Sequence, residues 1–418
     1  MKILKLLKKE YFLDKLTIIS FGLFPILPNS IKGLPVFILA LNTAFNYFKN
    51  KSSENNTMSQ KRIFYALVMT SVYICYLLSI FYTENLPVLG QKLETSLSLL
   101  LIPLCFFFTK KSFYSRYITT FKVIFIVSTV LFIFFFWANI LVDNTLNSIF
   151  NLNSDLLRKK IDSLPLIPLH PIYASMIYSI CLFLLLSLFR KINNYVLLSL
   201  IIILGANILV LASKMAIISL FLIIVYFLLK REQSFYYKII TIFVFSLTVI
   251  STFVYVPTLR HRFDEITRPD TYEKVIIWNS TSIRKGIYDC SMLLLKKQWI
   301  FGYGIGDVQD NLNYCYLTKS DVLFDGKYNS HNQYLSIWLG TGLFGFLVFS
   351  LMLAYNFIMA LRNKDLLFQV IIIFFTLNFL TENILQRQAG VILFAFLINL
   401  FGWYNLDRLV SKSFKKKI

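Results

Sequence analysis

The chain has 418 residues, 57% of them apolar and only 15% charged, whereas a soluble domain of this size runs at roughly 45–50% apolar and 25% charged. That composition excludes a soluble enzyme, a coiled coil and a disordered chain, and apolar residues in continuous runs rather than strict alternation exclude a transmembrane β-barrel. The net charge of +21 would suggest nucleic acid as partner of a soluble protein, but in a membrane protein its first meaning is topological, because basic residues are retained in cytoplasmic loops.

At about 20 residues per membrane-spanning helix, the apolar runs give twelve candidate spans. In chain order they are 15–28, 34–48, 62–83, 93–108, 117–142, 171–189, 195–212, 215–230, 237–256, 332–361, 365–381 and 388–406. The first two are short and marked by Pro25, Pro28 and Pro35, so a single re-entrant hairpin is an alternative that leaves the topology unchanged. With the N-terminus inside, the inner segments hold 25 of the 42 Lys and Arg residues and the short outer loops only seven. The other ten lie in one long outer segment, 257–330, and long loops largely escape the positive-inside rule. The expectation is an all-α polytopic membrane protein of about twelve transmembrane helices, with both termini cytoplasmic. It divides into an N-terminal bundle (1–256), a long, partly helical outer loop (257–331) and a C-terminal segment of three spans with a basic tail (332–418). Most of the positive charge thus sets orientation, and nucleic acid drops out as a partner.

Two outer segments stand apart, 143–170 and 257–330. A structureless loop as long as the second is improbable, so it is folded or functional. Within it Ile283, Ile287, Leu294 and Leu295 recur at near-helical spacing, which predicts an amphipathic helix over 283–299 on the outer membrane face. The Gly-rich stretch Gly302-Tyr303-Gly304-Ile305-Gly306 ends it. Cys75, Cys105 and Cys181 fall inside spans and read as buried small hydrophobes. Cys290 and Cys315 share the outer loop; an oxidising compartment would permit a disulfide, but spacing alone does not show that their Cα atoms approach.

A few residues carry chemistry. His331 stands where the long loop meets the next span, and a histidine there is either a base near neutral pH or an interfacial side chain beside Tyr334 and Trp338 in an aromatic belt. Lys214, in Ala212-Ser213-Lys214-Met215, is the only polar break between two apolar runs. It either snorkels to the interface or pairs with an anion. Arg284 opens the loop helix, and its planar fork suits phosphate. His170 precedes Pro171 at the start of a span, where a structural role leads. Glu382 and Arg387 flank the last outer turn, where a local ion pair is the simplest reading. Outer cations (Lys214, Arg284, Arg387) and an outer histidine could together hold a phosphate leaving group and deprotonate a nucleophile. No nucleotide pool exists outside a bacterial inner membrane, so an activated donor would arrive as a lipid-linked phosphate. No Walker, H-E-x-x-H or Asp-rich motif is present, so neither a metal nor another cofactor is expected.

These residues resemble the O-antigen ligase/polymerase superfamily of bacterial polytopic glycosyltransferases. The resemblance rests on His331-Asn332-x-Tyr334-Leu335 with Gly340 and Gly342 downstream, on Arg284 followed by Trp299-x-x-Gly302-x-Gly304-x-Gly306, and on Ser213-Lys214 at a short outer turn. Glu382-Asn383, Arg387-Gln388 and Gly390 look like the family's closing segment. It spans roughly residues 165–400. The resemblance implies a periplasmic site at the inner membrane in which His331 activates an acceptor hydroxyl. Arg284 and Lys214, with Arg387 more weakly, would bind the diphosphate of an undecaprenyl diphosphate-linked glycan, supported by Asn332, Tyr334, His170 and Glu382. The implied reaction is metal-independent and inverting. Two departures stand out: Lys214 replaces the family's usual arginine, losing bidentate geometry, and the proline usual before the Gly-rich turn is absent.

A ligase would use a lipid A–core acceptor, a polymerase a second lipid-linked glycan, and an oligosaccharyltransferase a protein. One long loop at three-quarters of the chain followed by three spans favours the ligase. A flippase for the same lipids is the non-enzyme alternative. It is disfavoured because the spans show no internal repeats and hold few ionisable residues.

Overall fold

The computed structural model describes residues 12–50, 60–109, 111–143, 154–211, 264–277 and 279–415, with single positions between 217 and 250. Every regular element among them is helical. The N-terminal part comprises α1 (Phe12–Gly22), α2 (Leu34–Asn50), α3 (Gln60–Leu78), α4 (Leu86–Ser96), α5 (Ser98–Phe108) and α6 (Lys111–Asp143). Then follow α7 (Ser154–Asp162), α8 (Pro171–Leu186) and α9 (Asn194–Val210). The long loop contributes α10 (Asp270–Glu273), α11 (Ser280–Gln298), α12 (Val308–Lys319) and α13 (Asp321–Gly326). The C-terminal part is α14 (Gln333–Arg362), α15 (Leu366–Asn378) and α16 (Gln388–Lys415).

Among the described residues, six segments are long and apolar enough to cross a membrane: Asn29–Lys49, Gln60–Phe81, Leu86–Phe108, Arg116–Val142, Gln333–Arg362 and Gln388–Val410. Shorter apolar helices occupy Pro171–Leu186, Asn194–Val210 and Leu366–Asn378. The chain is therefore an integral membrane protein built of helices. The expected spans at 215–230 and 237–256 lie largely outside the described residues. The first expected span is a helix of 11 residues, α1, followed by a 3-10 turn at Phe24–Ile26 where Pro25 sits.

Helix α16 forms the centre. Its span is 89% buried, against 33–50% for the other five, because other helices pack on it from several sides. Phe394, Phe396, Leu397, Phe401 and Trp403 are each at most 1% exposed, packed against α4, α5, α6, α14 and α15. Phe396 stacks on Phe21 with ring centroids 3.7 Å apart, and Phe394 meets Phe375 and Phe379 edge-on. The outer helices instead show large apolar side chains to their surroundings, among them Phe37, Phe134, Phe344 and Leu351. In a membrane protein that face needs only to match lipid.

The polar contacts collect at two ends. At one, Arg62 pairs with Asp407 at 2.9 Å and donates to the carbonyls of Phe107 and Thr109. Asn405 bonds Asp365, and Lys122 bonds Ser187. The other end carries the α3–α4 turn, the α7–α8 connection, the long loop and the α15–α16 turn. Here Asp307 accepts from the backbone N–H groups of Glu84 and Asn85 at 2.7 Å each, and Asn29 donates to Pro168.

The long loop is folded around its own core. Asn279 caps α11 by accepting from Thr281 and Ser282. Ile283, Ile287, Leu294 and Leu295 are buried as their spacing predicts, but against Leu312, Tyr316, Leu323 and Leu339. The apolar face of α11 is thus covered by α12, α13 and α14 rather than turned to a lipid surface. A Cys290–Cys315 disulfide, Cα atoms 5.8 Å apart, ties α11 to α12.

Candidate functional site

Two backbone interruptions set the site. The first is inside α14, where Gly342 leaves the helix with φ +67° and ψ −170°. The Gly-rich turn enters the gap: Tyr303 N–H donates to Leu339 at 2.7 Å and Gly304 N–H to Gly340 at 3.1 Å, while Leu343 N–H returns a bond to Ile300 at 3.0 Å. Only glycine allows this approach. A Cβ on Gly342 would lie 2.0 Å from the Ile300 oxygen, and one on Gly302, itself at φ +74°, 2.6 Å from that of Leu339. The loop is thereby pinned to the start of α14, and the end of α11 is fixed relative to the start of α14.

The second interruption is His331. It adopts the left-handed conformation, φ +41°, which costs a non-glycine residue about 1–3 kcal/mol and persists only where its surroundings impose it. Its N–H donates to the Asn329 side chain at 3.0 Å. Its carbonyl accepts from the Tyr288 hydroxyl at 3.2 Å, which also reaches Leu380 at 3.1 Å. Next in the chain, Asn332 caps α14 by accepting from Leu335 N–H.

Glu382, on the α15–α16 turn, joins the pieces. One carboxylate oxygen receives Arg284 at 2.5 Å; the other stands 3.6 Å from His331 Nδ1, ion-pair reach rather than hydrogen-bond length. Arg284 therefore pairs with Glu382 across 98 residues of sequence, which corrects the local Glu382–Arg387 ion pair expected from the sequence. Burial pushes the Glu382 carboxyl up, but His331 and Arg284 beside it, helped by His170, outweigh that and hold it below its ordinary value. The turn carrying it is knitted to α14: Asn383 donates to Ser330 at 2.9 Å, Leu385 N–H to Gln333 at 2.8 Å, and Gln333 N–H to Phe379 at 2.8 Å.

His170 immediately precedes α8, and burial lowers its imidazole pKa, with Arg387 and Arg158 adding to the shift and Asp162 and Glu382 opposing it. Arg387 stands over the Tyr173 ring at 6.0 Å, and Tyr173 donates to Ile384 on the same turn. These contacts join the starts of α8, α11 and α14 to the turn that leads into α16, and helix N-termini carry partial positive charge. Arg284 Nε, His331 Nδ1, His170 Nδ1 and Thr381 Oγ1 are buried here with no hydrogen-bond partner among the described residues. Such a place suits an anion, and a histidine against a carboxylate suits proton transfer.

The structure brings His331, Arg284 and Glu382 into direct contact and sets His170 and Arg387 within electrostatic reach of one another. Asn332 and Tyr334 support them structurally; the Tyr334 hydroxyl donates to Thr376 and its ring packs against Phe349 and Phe379. Lys214 lies outside the described residues. Tyr288, Ser330 and Arg158 are the contributors that the sequence reading missed. Tyr288 alone had a signal, four residues after Arg284 and so on the same helix face. Arg158 donates to the Leu211 carbonyl at 2.7 Å, which places α7 at the end of α9.

The family model described as O-antigen ligase matches residues 198–350. The match contains Arg284, the Gly-rich turn, His331 and Gly342, and ends before Glu382 and Arg387. No curated protein matches the chain. The resemblance to the O-antigen ligase superfamily rests on that segment, and the turn carrying Glu382 packs against it through Arg284 and His331.

Proposed function

With residues 198–350 carrying the O-antigen ligase family's sequence pattern, we propose that this protein is a glycosyltransferase. It moves a glycan from undecaprenyl diphosphate to an acceptor hydroxyl at the periplasmic face of a bacterial inner membrane. The observation that carries this reading is the Arg284–Glu382–His331 contact at converging helix N-termini. The diphosphate sits among Arg284, Arg387 and the N-termini of α8 and α16, where its charge, which grows as the sugar departs, is stabilised. From the sequence alone, Lys214, which falls within the family match, is a further candidate cation for the diphosphate.

His331 acts as the base. Glu382 stays ionised and orients the imidazole through Nδ1, leaving the second ring nitrogen for the acceptor hydroxyl. The acceptor oxygen attacks the anomeric carbon as the bond from that carbon to the phosphate oxygen breaks. The proton passes to His331, the electron pair leaves with undecaprenyl diphosphate, and attack opposite the leaving group inverts the centre. His170, kept neutral, and Arg387 line the leaving-group side. Lipid A–core is the acceptor we favour, from the single long loop followed by three spans; a second lipid-linked glycan, as in a polymerase, is the alternative.

Replacing His331 with Ala tests the assignment. Transfer should fall by at least about 100-fold, the scale of general-base catalysis, while membrane insertion and binding of undecaprenyl diphosphate persist. Normal transfer by this variant removes the reading. Deleting the gene separates ligase from polymerase: a ligase leaves lipid-linked polymer accumulating and no long chains on core, whereas a polymerase leaves core with single repeats.

A further inference from the structure

A cavity with a mixed polar and apolar lining opens beside the turn that carries Glu382. Its volume is about 110 Å³. Tyr76, Lys92, Thr95, Ser96, Ser336 and Gln386 supply its aromatic and polar lining. The segment 382–387 is shared with the site above. Glu382 at its start faces Arg284 and His331, and Gln386 at its end donates to Ser336 at 2.9 Å within the cavity wall. Nothing in the proposed reaction has yet used this space.

Its chemistry differs from that of the neighbouring cluster. Lys92 is the only cation lining it and is already engaged, donating to the Ile305 carbonyl at 2.7 Å, with Asp307 and Asp310 close enough to act on its charge. A phosphate therefore has little to gain here. What remains are two faces. Thr95 already donates to the Gln91 carbonyl and Gln386 to Ser336, which leaves the Thr95 and Gln386 oxygens to accept and the Ser96 and Ser336 hydroxyls to donate, while Tyr76, Ile305 and Leu385 give an apolar wall. A ligand that is polar around its rim and apolar on its face matches that pairing.

We propose that this cavity binds a sugar residue, hydroxyls on the polar side and C–H face on the apolar wall, and so holds the glycan in register with the reacting centre. The proposal rests on the glycosyltransferase reading and names the part of the site that recognises sugar rather than diphosphate. The sugar belongs either to the donor glycan or to the acceptor.

The test uses the full-length protein in lipid nanodiscs, with lipid-linked glycan and acceptor lipid extracted from the producing cells and sugar-free undecaprenyl diphosphate as the comparison probe. Thr95→Trp, which fills the cavity, should raise KM for one glycan-bearing substrate by about tenfold or more. Binding of the sugar-free lipid, read by thermal shift, should stay within about twofold of wild type. A rise for donor or for acceptor identifies the source of the sugar. Should Thr95→Trp fail to fold, Ser336→Ala, which adds no volume, should raise the same KM about two- to tenfold, the range of one lost hydrogen bond. Unchanged KM for both substrates, or equal weakening of the sugar-free lipid, overturns the proposal. An inactive wild-type protein overturns the glycosyltransferase reading itself, which keeps the two failures apart.

Discussion

At the scale of single residues, the site is one carboxylate serving two partners. Glu382 is mostly buried, and its pairing with Arg284 and His331 outweighs the cost of taking its charge out of water. Because its folded pKa lies below the unfolded value of about 4.3, the sign is fixed. Its contribution to stability is fully present above that value and is lost as pH falls from about 5 through the folded pKa. Glu382→Gln should therefore lose about 3 kcal/mol at pH 7, the scale for removing one partner of a buried pair. It should also flatten the acid-side fall in melting temperature measured in detergent. A variant that melts like wild type at pH 7 would show that the pair contributes nothing. His331 was legible in the sequence as a lone histidine at a loop–span boundary. Its left-handed backbone was not, since Asn329 and Tyr288 impose it from a neighbouring loop position and another helix.

At the scale of elements, the long loop is held by three devices: its own apolar cluster, a disulfide and the Gly-rich turn. The Cys290–Cys315 bond closes a loop of 25 residues, for which chain entropy predicts a contribution of about 3 kcal/mol. Replacing both cysteines with Ser should speed limited proteolysis within 257–330, and an unchanged cleavage rate would count against it. The turn docks where α14 breaks. Gly342→Val forces a side chain into the Ile300 carbonyl at positive φ, and we expect a loss of at least about 2 kcal/mol and displacement of the loop. Gly90→Ala, inside α4 with nothing within 4 Å of the added carbon, is the control and should melt at or slightly above wild type, because Ala is favoured over Gly in a helix by about 0.5–1 kcal/mol. Periodicity predicted α11 and its buried residues correctly, because that pattern is local. It did not reveal what covers them: the face that seemed suited to a membrane surface meets α12, α13 and α14.

Across the whole molecule, α16 is the axis, and the polar contacts separate to its two ends. Arg62, Lys122, Asp365 and Asp407 share one end; the Arg284–Glu382–His331 cluster occupies the other. From the loop-by-loop distribution of Lys and Arg we propose that the first faces the cytoplasm. That assignment is checked by single cysteines in a background lacking the native free thiols. Lys319→Cys, on the loop, should react with a membrane-impermeant maleimide in spheroplasts, and Arg190→Cys, exposed beside α9, only after permeabilisation. The reverse labelling would place the site in the cytoplasm and remove the lipid-linked donor argument.

Composition and hydropathy determined that the chain is a helical membrane protein, because burying a backbone in lipid admits few solutions and apolar runs mark them. Local motifs also nominated His331 and Arg284. Only the tertiary structure decided that Glu382 is the shared partner, since 98 residues separate it from Arg284 and no periodicity spans that distance. Likewise only packing made α16 the core, opened α14 at Gly342 and brought Arg284 and His331 to the same carboxylate. Charge count and spacing report which residues are available; contact across the bundle selects the ones that act together.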